Sequence, residues 1–396
     1  MDQDLTDMLR ISKAVGGDER LVQGGGGNTS VKTQAGDLMY VKASGTSLAD
    51  MSEGRGYRQV DVEKCLRVVE DKDLLELRPA DREAEVLRRL CESCVDRLDG
   101  RPSVETGLHA MLGRYVVHTH PSVVNGLLCA AKGREKLAEL FADFAPPYLY
   151  VEYVNPGYSL ATRLYTELAN HRRRYGGPPE VMFLENHGLF VTADKADRAL
   201  SLTKEVFGAI EGAVRKAREK AALPPFSPLS AGQQEAMAAQ VAAAMRPFYS
   251  AVLGRPALIR FDNEKAVTEF LRIPRARDLS KAPPMIPDQV VYCGGRPIWV
   301  EPHERETSVE REVISALKEV EAGADTPFCI LLKGLGLFSA APSAKLLDAA
   351  SSVMQAVLET LSVAFHFGGP RGLSSEAIES LRDCEADRFR RGLAAG

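Results

Sequence analysis

The chain has 396 residues, 45% of them hydrophobic and 26% charged, enough to bury one or two full-sized cores without disulfide or metal staples. That length sets a prior of two or three domains. A net charge of −4 removes the electrostatic ground for a nucleic-acid partner, and no run of about eighteen apolar residues offers a membrane span.

The opening MDQDLTDMLR has no basic end followed by an apolar run, so no secretory signal is expected. The seven cysteines are odd in number and spread over the predicted elements, with Cys91 and Cys94 as a single CxxC inside a helical pattern. They read as reduced, packed thiols, and a cytoplasmic location follows as the expectation.

Apolar spacing through Leu5, Met8, Leu9, Ile11 and Val15 predicts a helix closed by Gly16-Gly17. GGGGNTSVK (Gly24 to Lys32) then leads into a hairpin whose second strand is Leu38 to Val41, ended by Ala43-Ser44-Gly45-Thr46-Ser47. Helices are predicted near 61–71 and 81–98, the latter solvent-facing, and then helix 103–112, strand Tyr115 to Thr119 and helix 121–131. Strands 181–184 and 189–192 precede a helix from Lys195 toward Leu223, where Pro224-Pro225-Phe226-Ser227-Pro228 marks a domain boundary. Two units are therefore expected, residues 1–223 and 230–396.

FLENHGLFVTADKADRALSLTKEVFGAIE from Phe183 aligns without gaps to LLKGLGLFSAAPSAKLLDAASSVMQAVLE from Leu331, an offset of 148 residues. His187 falls on Leu335. This predicts a degenerate second copy that kept the packing and lost the polar group, with an unrelated cap domain as the alternative. Tyr292-Cys293-Gly294-Gly295, after Val290-Val291, reads as that copy's version of the histidine segment after Val116-Val117.

Three of the seven histidines fall in two short clusters. His118 and His120, at i and i+2 on a strand, point to one face, so both rings can reach one cation. His187 also follows an apolar strand directly, and three histidines at strand ends can form a three-nitrogen site with open positions for substrate. His109, His171, His303 and His366 read as structural or surface residues. Glu105 sits where Ser103 could cap a helix, as a first-turn acid, and beside a metal it could also serve as a general base or fourth ligand. The glycine run lets successive N–H groups face one point, an oxyanion cradle that is neither a phosphate loop of the GKS/T type nor a dinucleotide fingerprint.

Taken in order, GGGGNTSVK, MYVKASGTSL, PSVETGLHA, VVHTHP and NHGLF resemble the class II aldolase/adducin family. Within it they most resemble the aldolase part of bifunctional rhamnulose-1-phosphate aldolase/lactaldehyde dehydrogenases, over roughly residues 5 to 220, without the dehydrogenase domain. The resemblance implies an α/β fold with a mixed or mainly antiparallel central sheet between helical layers. It also implies a divalent metal, expected to be zinc, on His118, His120 and His187, and Glu105 as catalytic acid/base. Phosphate-binding positions fall on Gly27, Asn28, Ser44, Gly45 and Ser103, while Val104 stands where some members carry a further serine.

The implied reaction is cleavage of a phosphorylated ketose to dihydroxyacetone phosphate and an aldehyde through an enediolate, in a homo-oligomer built as a dimer of two-domain chains or a tetramer. Some aldolases carry a proton-donating tyrosine shortly after HxHP. Lys132 to Phe144 contains none, and Tyr148, Tyr150 and Tyr153 are nearby but unaligned. Epimerase, dehydratase or decarboxylase chemistry on the same metal therefore stays open, as does a non-catalytic scaffold like adducin.

Overall fold

Residues 2–145, 147–221, 224, 229–302, 308–320 and 326–383 are described in this computed structural model, and they build two sheets. The boundary tetrad Pro225-Phe226-Ser227-Pro228, His303 and Cys384 lie outside the described residues.

The first sheet contains β1 (Asn28–Lys32), β2 (Leu38–Lys42), β3 (Tyr57–Asp61), β4 (Tyr115–Thr119), β5 (Leu149–Val151), β6 (Val181–Leu184) and β7 (Gly188–Ala193). Their order is β3-β2-β1-β4-β7-β6-β5, antiparallel throughout except for the parallel β5–β6 pair. This is the mixed, mainly antiparallel sheet expected. Its helices are α1 (Gln3–Gly16), α2 (Val62–Glu70), α3 (Pro79–Glu92), α4 (Thr106–Met111), α5 (Ser122–Leu128), α6 (Gly133–Leu140), α7 (Tyr158–Tyr175) and α8 (Ala196–Glu219).

Period-two alternation splits each strand between two apolar layers. Val31, Val117 and Val191 pack with α1, α5 and α8, whereas Val116 and Phe190 pack with α7 on the other face. His118 follows that alternation and takes the face of Val116. The helix expected over 81–98 stops at Glu92, because Cys94 leaves it to form a β-bridge with Val60. Cys91 and Cys94 thus do not share a helix.

The second unit contains α9 (Ala231–Leu253), β8 (Leu258–Asp262), α10 (Lys265–Leu271), α11 (Ala276–Leu279), α12 (Pro287–Cys293), β9 (Ile298–Val300) and α13 (Val309–Lys318). It continues with β10 (Cys329–Leu332), β11 (Gly336–Ala341), α14 (Ala344–His366) and α15 (Ser375–Asp383). The strand order β8-β11-β10-β9, with only β9–β10 parallel, has the order and sense of β4-β7-β6-β5 in the first sheet. Elements β10, β11 and α14 begin at Cys329, Gly336 and Ala344, each at the aligned position of β6, β7 and α8, which begin at Val181, Gly188 and Ala196.

One expectation fails here. Val290-Val291-Tyr292-Cys293 is not the counterpart of β4 but the body of α12, and β8 stands in the place of β4. Pro287 in the first turn favours a helix start, and Gly294, at φ +70, ends it in the left-handed conformation.

The units are joined by α14 packing on α5. Gly126 makes the close approach possible, since a Cβ there would lie 2.3 Å from Val363 Cβ. Thr360 donates its hydroxyl to the Ser122 carbonyl (3.2 Å), and the Arg371 N–H donates to the Cys129 carbonyl (2.7 Å). Among the described residues, no helix is long and apolar enough to cross a membrane.

Candidate metal centre

β4 delivers His118, and His120 is the residue directly after that strand, with their Nε2 atoms 2.9 Å apart. His187 comes from the turn between β6 and β7. That turn needs Asn186 at φ +52, a left-handed conformation asparagine tolerates better than most residues. It also needs Gly188, because a Cβ there would sit 2.5 Å from the Thr119 carbonyl and 2.9 Å from the His120 ring. The three ligand nitrogens all lie within 4.8 Å of one another, and all three residues are buried. The predicted trio is assembled as expected, though 67 residues of chain separate His120 from His187.

The donor chemistry fits a cation. The Nδ1–H of His118 donates to the Leu189 carbonyl at 3.0 Å, and Nδ1 of His120 lies 2.7 Å from Asp288 Oδ2. With a proton on each Nδ1, both Nε2 atoms present lone pairs toward one point. Burial drives the His118 pKa well below its ordinary value, which favours the neutral, ligating imidazole.

Glu105 is not the first-turn acid expected from Ser103. Helix α4 begins at Thr106, and Glu105 occupies the cap position without a side-chain capping bond. Its carboxylate turns into the cluster instead: Oε2 accepts from Asn28 Nδ2 at 2.6 Å and lies 3.5 Å from His118 Nε2, while Oε1 lies 3.3 Å from His187 Nε2. Burial pushes the Glu105 pKa up, whereas the Asn28 donation and any positive charge in the His118–His187 pocket pull it down below the ordinary value, so the group is a carboxylate.

Asn28 is the hinge of a buried chain of hydrogen bonds that the sequence reading did not see. Ser30 donates to His109 Nδ1 at 2.7 Å, His109 Nε2–H donates to Asn28 Oδ1, and Asn28 Nδ2 donates to Glu105 and to Ser103 Oγ (3.2 Å). Burial lowers the His109 pKa to about 3, so the ring is neutral and carries the single proton this chain requires. His109 is structural, as expected, but its structural task is to aim the carboxylate.

The five predicted phosphate positions come from three chain segments, Gly27-Asn28, Ser44-Gly45 and Ser103. The Ser103 N–H donates to the Lys42 carbonyl (3.2 Å) and the Ser44 N–H to the Arg101 carbonyl (2.8 Å), which places Ser44-Gly45 beside Ser103. Buried Lys42 donates to the carbonyls of Gly25 (2.7 Å) and Gly27 (2.8 Å), fixing the glycine loop from within. Gly27 has φ +64, and a Cβ there would lie 2.7 Å from the His118 carbonyl. Gly27→Ala is therefore expected to cost about 2–4 kcal/mol, strain and clash together, read as a lower melting temperature in calorimetry. An unchanged melting temperature would show that the loop adapts freely.

A cleft of about 1160 Å³ between the units reaches this loop, lined by Gly24, Gly25 and Gly45 from one side and by Tyr292, Lys345 and Ala349 from the other. The three imidazoles do not line it. Asp288 carries no local signal in the sequence, whereas Lys42 and Asn186 lie inside the segments MYVKASGTSL and NHGLF without standing out as site residues.

A buried three-histidine cluster with an inward carboxylate, set at the strand ends of a mixed sheet, is an arrangement that could hold a divalent metal ion. The chain belongs to the class II aldolase/adducin family: the family model for the Class II Aldolase and Adducin N-terminal domain matches residues 6–213, more than half of the chain. An "Uncharacterized oxidoreductase YuxG" from Bacillus subtilis (strain 168) is 25% identical over 309 residues, 74% of this chain and 42% of that protein. The chain thus spans less than half the length of that relative.

Among solved structures, the N-terminal class II aldolase domain of a conserved protein from Thermoplasma acidophilum is 25% identical, covering 54% of this chain and 95% of that one at a TM-score of 0.44. The L-fuculose-1-phosphate aldolase of Thermus thermophilus is 16% identical, covering 56% of this chain and 97% of that one at a TM-score of 0.36.

Proposed function

We propose that the protein is a metal-dependent carbon–carbon lyase that cleaves a phosphorylated ketose to dihydroxyacetone phosphate and an aldehyde. The observation that carries this reading is the convergence of His118, His120, His187 and the Glu105 carboxylate in one buried cluster. The three imidazoles would hold a divalent cation, zinc by their nitrogen chemistry, and that cation supplies Lewis-acid polarisation of the substrate carbonyl.

The chain's own residues do the rest. Gly27, Asn28, Ser44, Gly45 and Ser103 bind the phosphate through N–H and hydroxyl donors, which fixes the ketose so that its C3–C4 bond faces the cluster. As that bond breaks, the C4 hydroxyl gives its proton to the Glu105 carboxylate and its carbon leaves as the aldehyde. Glu105 carries a proton to C3, the carbon that becomes the hydroxymethyl group of dihydroxyacetone phosphate. The second unit is a degenerate copy that walls the site, with the homo-oligomer built from two-unit chains in the cytoplasm.

The test is a panel of ketose 1-phosphates with the metal-loaded chain, following dihydroxyacetone phosphate release. Release from at least one substrate is expected. Isomerised sugar phosphates without cleavage would favour the epimerase reading, which the tyrosine-free stretch Lys132 to Phe144 keeps open. No turnover and no bound metal would favour the scaffold.

A further inference from the structure

We propose that Asp288 is a positioning residue of the metal centre, so that the second unit completes a site whose three ligands all lie in the first. The inference rests on the metal-centre reading above and adds to it a carboxylate 168 residues away in sequence from the ligand it touches.

Asp288 lies in the first turn of α12, and its Oδ2 is 2.7 Å from His120 Nδ1, with both side chains buried. A carboxylate on Nδ1 keeps the proton on that nitrogen and turns the Nε2 lone pair toward His118. It also raises the basicity of the ring as a ligand. His118 receives the same orientation from the Leu189 carbonyl, a neutral acceptor on its own sheet. The two rings therefore differ in two respects: the partner of His120 is a carboxyl group instead of a backbone carbonyl, and it is delivered by the other unit.

The surroundings are built around this contact. Gly26 lies directly over it, since a Cβ there would be 2.8 Å from both Asp288 Oδ2 and His120 Nδ1. The segment leading into α12 is tied to the first unit at two places: Asn186 Nδ2 donates to the Met285 carbonyl (2.8 Å), and Cys129 Sγ donates to the same oxygen (3.4 Å). Inside the second unit, the Met285 N–H donates to Gln289 Oε1 at 2.8 Å. Asn186 directly precedes the ligand His187. One strap, Met285 to Asp288, thus touches the turn that carries the third ligand and the ring of the second.

The experiment is cobalt(II) binding to the full chain, titrated against a competing chelator and followed by the ligand-field spectrum, for wild type and for Asp288→Asn. Asp288→Asn is expected to bind cobalt about 10–100-fold more weakly, with a shifted spectrum and an unchanged far-ultraviolet circular dichroism spectrum. Asp288→Glu, which keeps the charge, is expected to recover part of the affinity. Asp288→Ala gives the same reading should the asparagine variant fail to fold. Wild-type affinity and spectrum in a folded Asp288→Asn or Asp288→Ala chain overturn the inference and leave the metal centre standing. A wild-type chain that binds no cobalt overturns the metal-centre reading itself, and the inference with it.

Discussion

If the proposed reaction holds, His118→Ala is expected to cost the chain its divalent cation and to lower turnover by at least about a thousandfold, because carbonyl polarisation by that cation would be the largest contribution of the site. His118 is the ring on which the cluster converges: its Nε2 lies 2.9 Å from His120 Nε2 and 3.5 Å from Glu105 Oε2. Removing one of three nitrogen ligands takes away on the order of 3 kcal/mol of binding, roughly a hundredfold in affinity, if the binding energy of a structural zinc is divided evenly over its ligands. Metal analysis by mass spectrometry after gel filtration reads this directly.

The substitution also has a structural cost that must be separated from the chemical one. The His118 ring stacks on Phe190 with centroids 3.9 Å apart and planes at 14°, wholly buried, so the alanine variant leaves a cavity worth about 2–3 kcal/mol. A thermal melt run beside the metal assay distinguishes a folded chain without metal from a chain that has lost its fold. A folded variant with full metal content and full activity would end the proposal.

The local parts of this protein were readable in its sequence. An apolar run ending in His-Thr-His carries its own alternation and bounds β4, and β6, β7 and α8 follow from a strand–turn–strand–helix pattern with Gly188 directly after the turn. The same strand–turn–strand–helix pattern recurs in β10, β11 and α14 at a constant offset. What was not readable was everything decided by packing across the units. Val290-Val291 looks like a strand by composition, yet Pro287 and Gly294 bracket it as a helix.

Asp288 shows the limit most clearly. Nothing in Ile286-Pro287-Asp288-Gln289 announces a partner for a histidine in the other unit, because the contact exists only once α14 has docked on α5. His109 is similar. As a lone histidine in a helix it reads as packing, and only the completed sheet shows that it anchors Asn28 and, through Asn28, the carboxylate of Glu105.

That chain of hydrogen bonds bears on the second large effect. Glu105→Gln is expected to lower kcat by about 10²–10⁴-fold while leaving KM for the phosphorylated substrate and the metal content nearly unchanged, the range set by loss of a positioned acid/base. The glutamine is close in size to the carboxyl it replaces, and its carbonyl oxygen can still accept from Asn28 Nδ2, so the phosphate positions at Asn28 and Ser103 keep their arrangement. What the amide cannot do is take up and return a proton. The sharpest readout is exchange of the hydroxymethyl proton of dihydroxyacetone phosphate in heavy water, followed by proton magnetic resonance, since it isolates the C3 proton step from aldehyde addition. Wild type is expected to exchange that proton, and Glu105→Gln to exchange it at least a hundredfold more slowly, in line with the kcat loss. Should the glutamine variant lose its metal instead, Glu105 is a ligand first and the proton must travel by another group. Should exchange continue at the wild-type rate with metal bound, Glu105 is not the base.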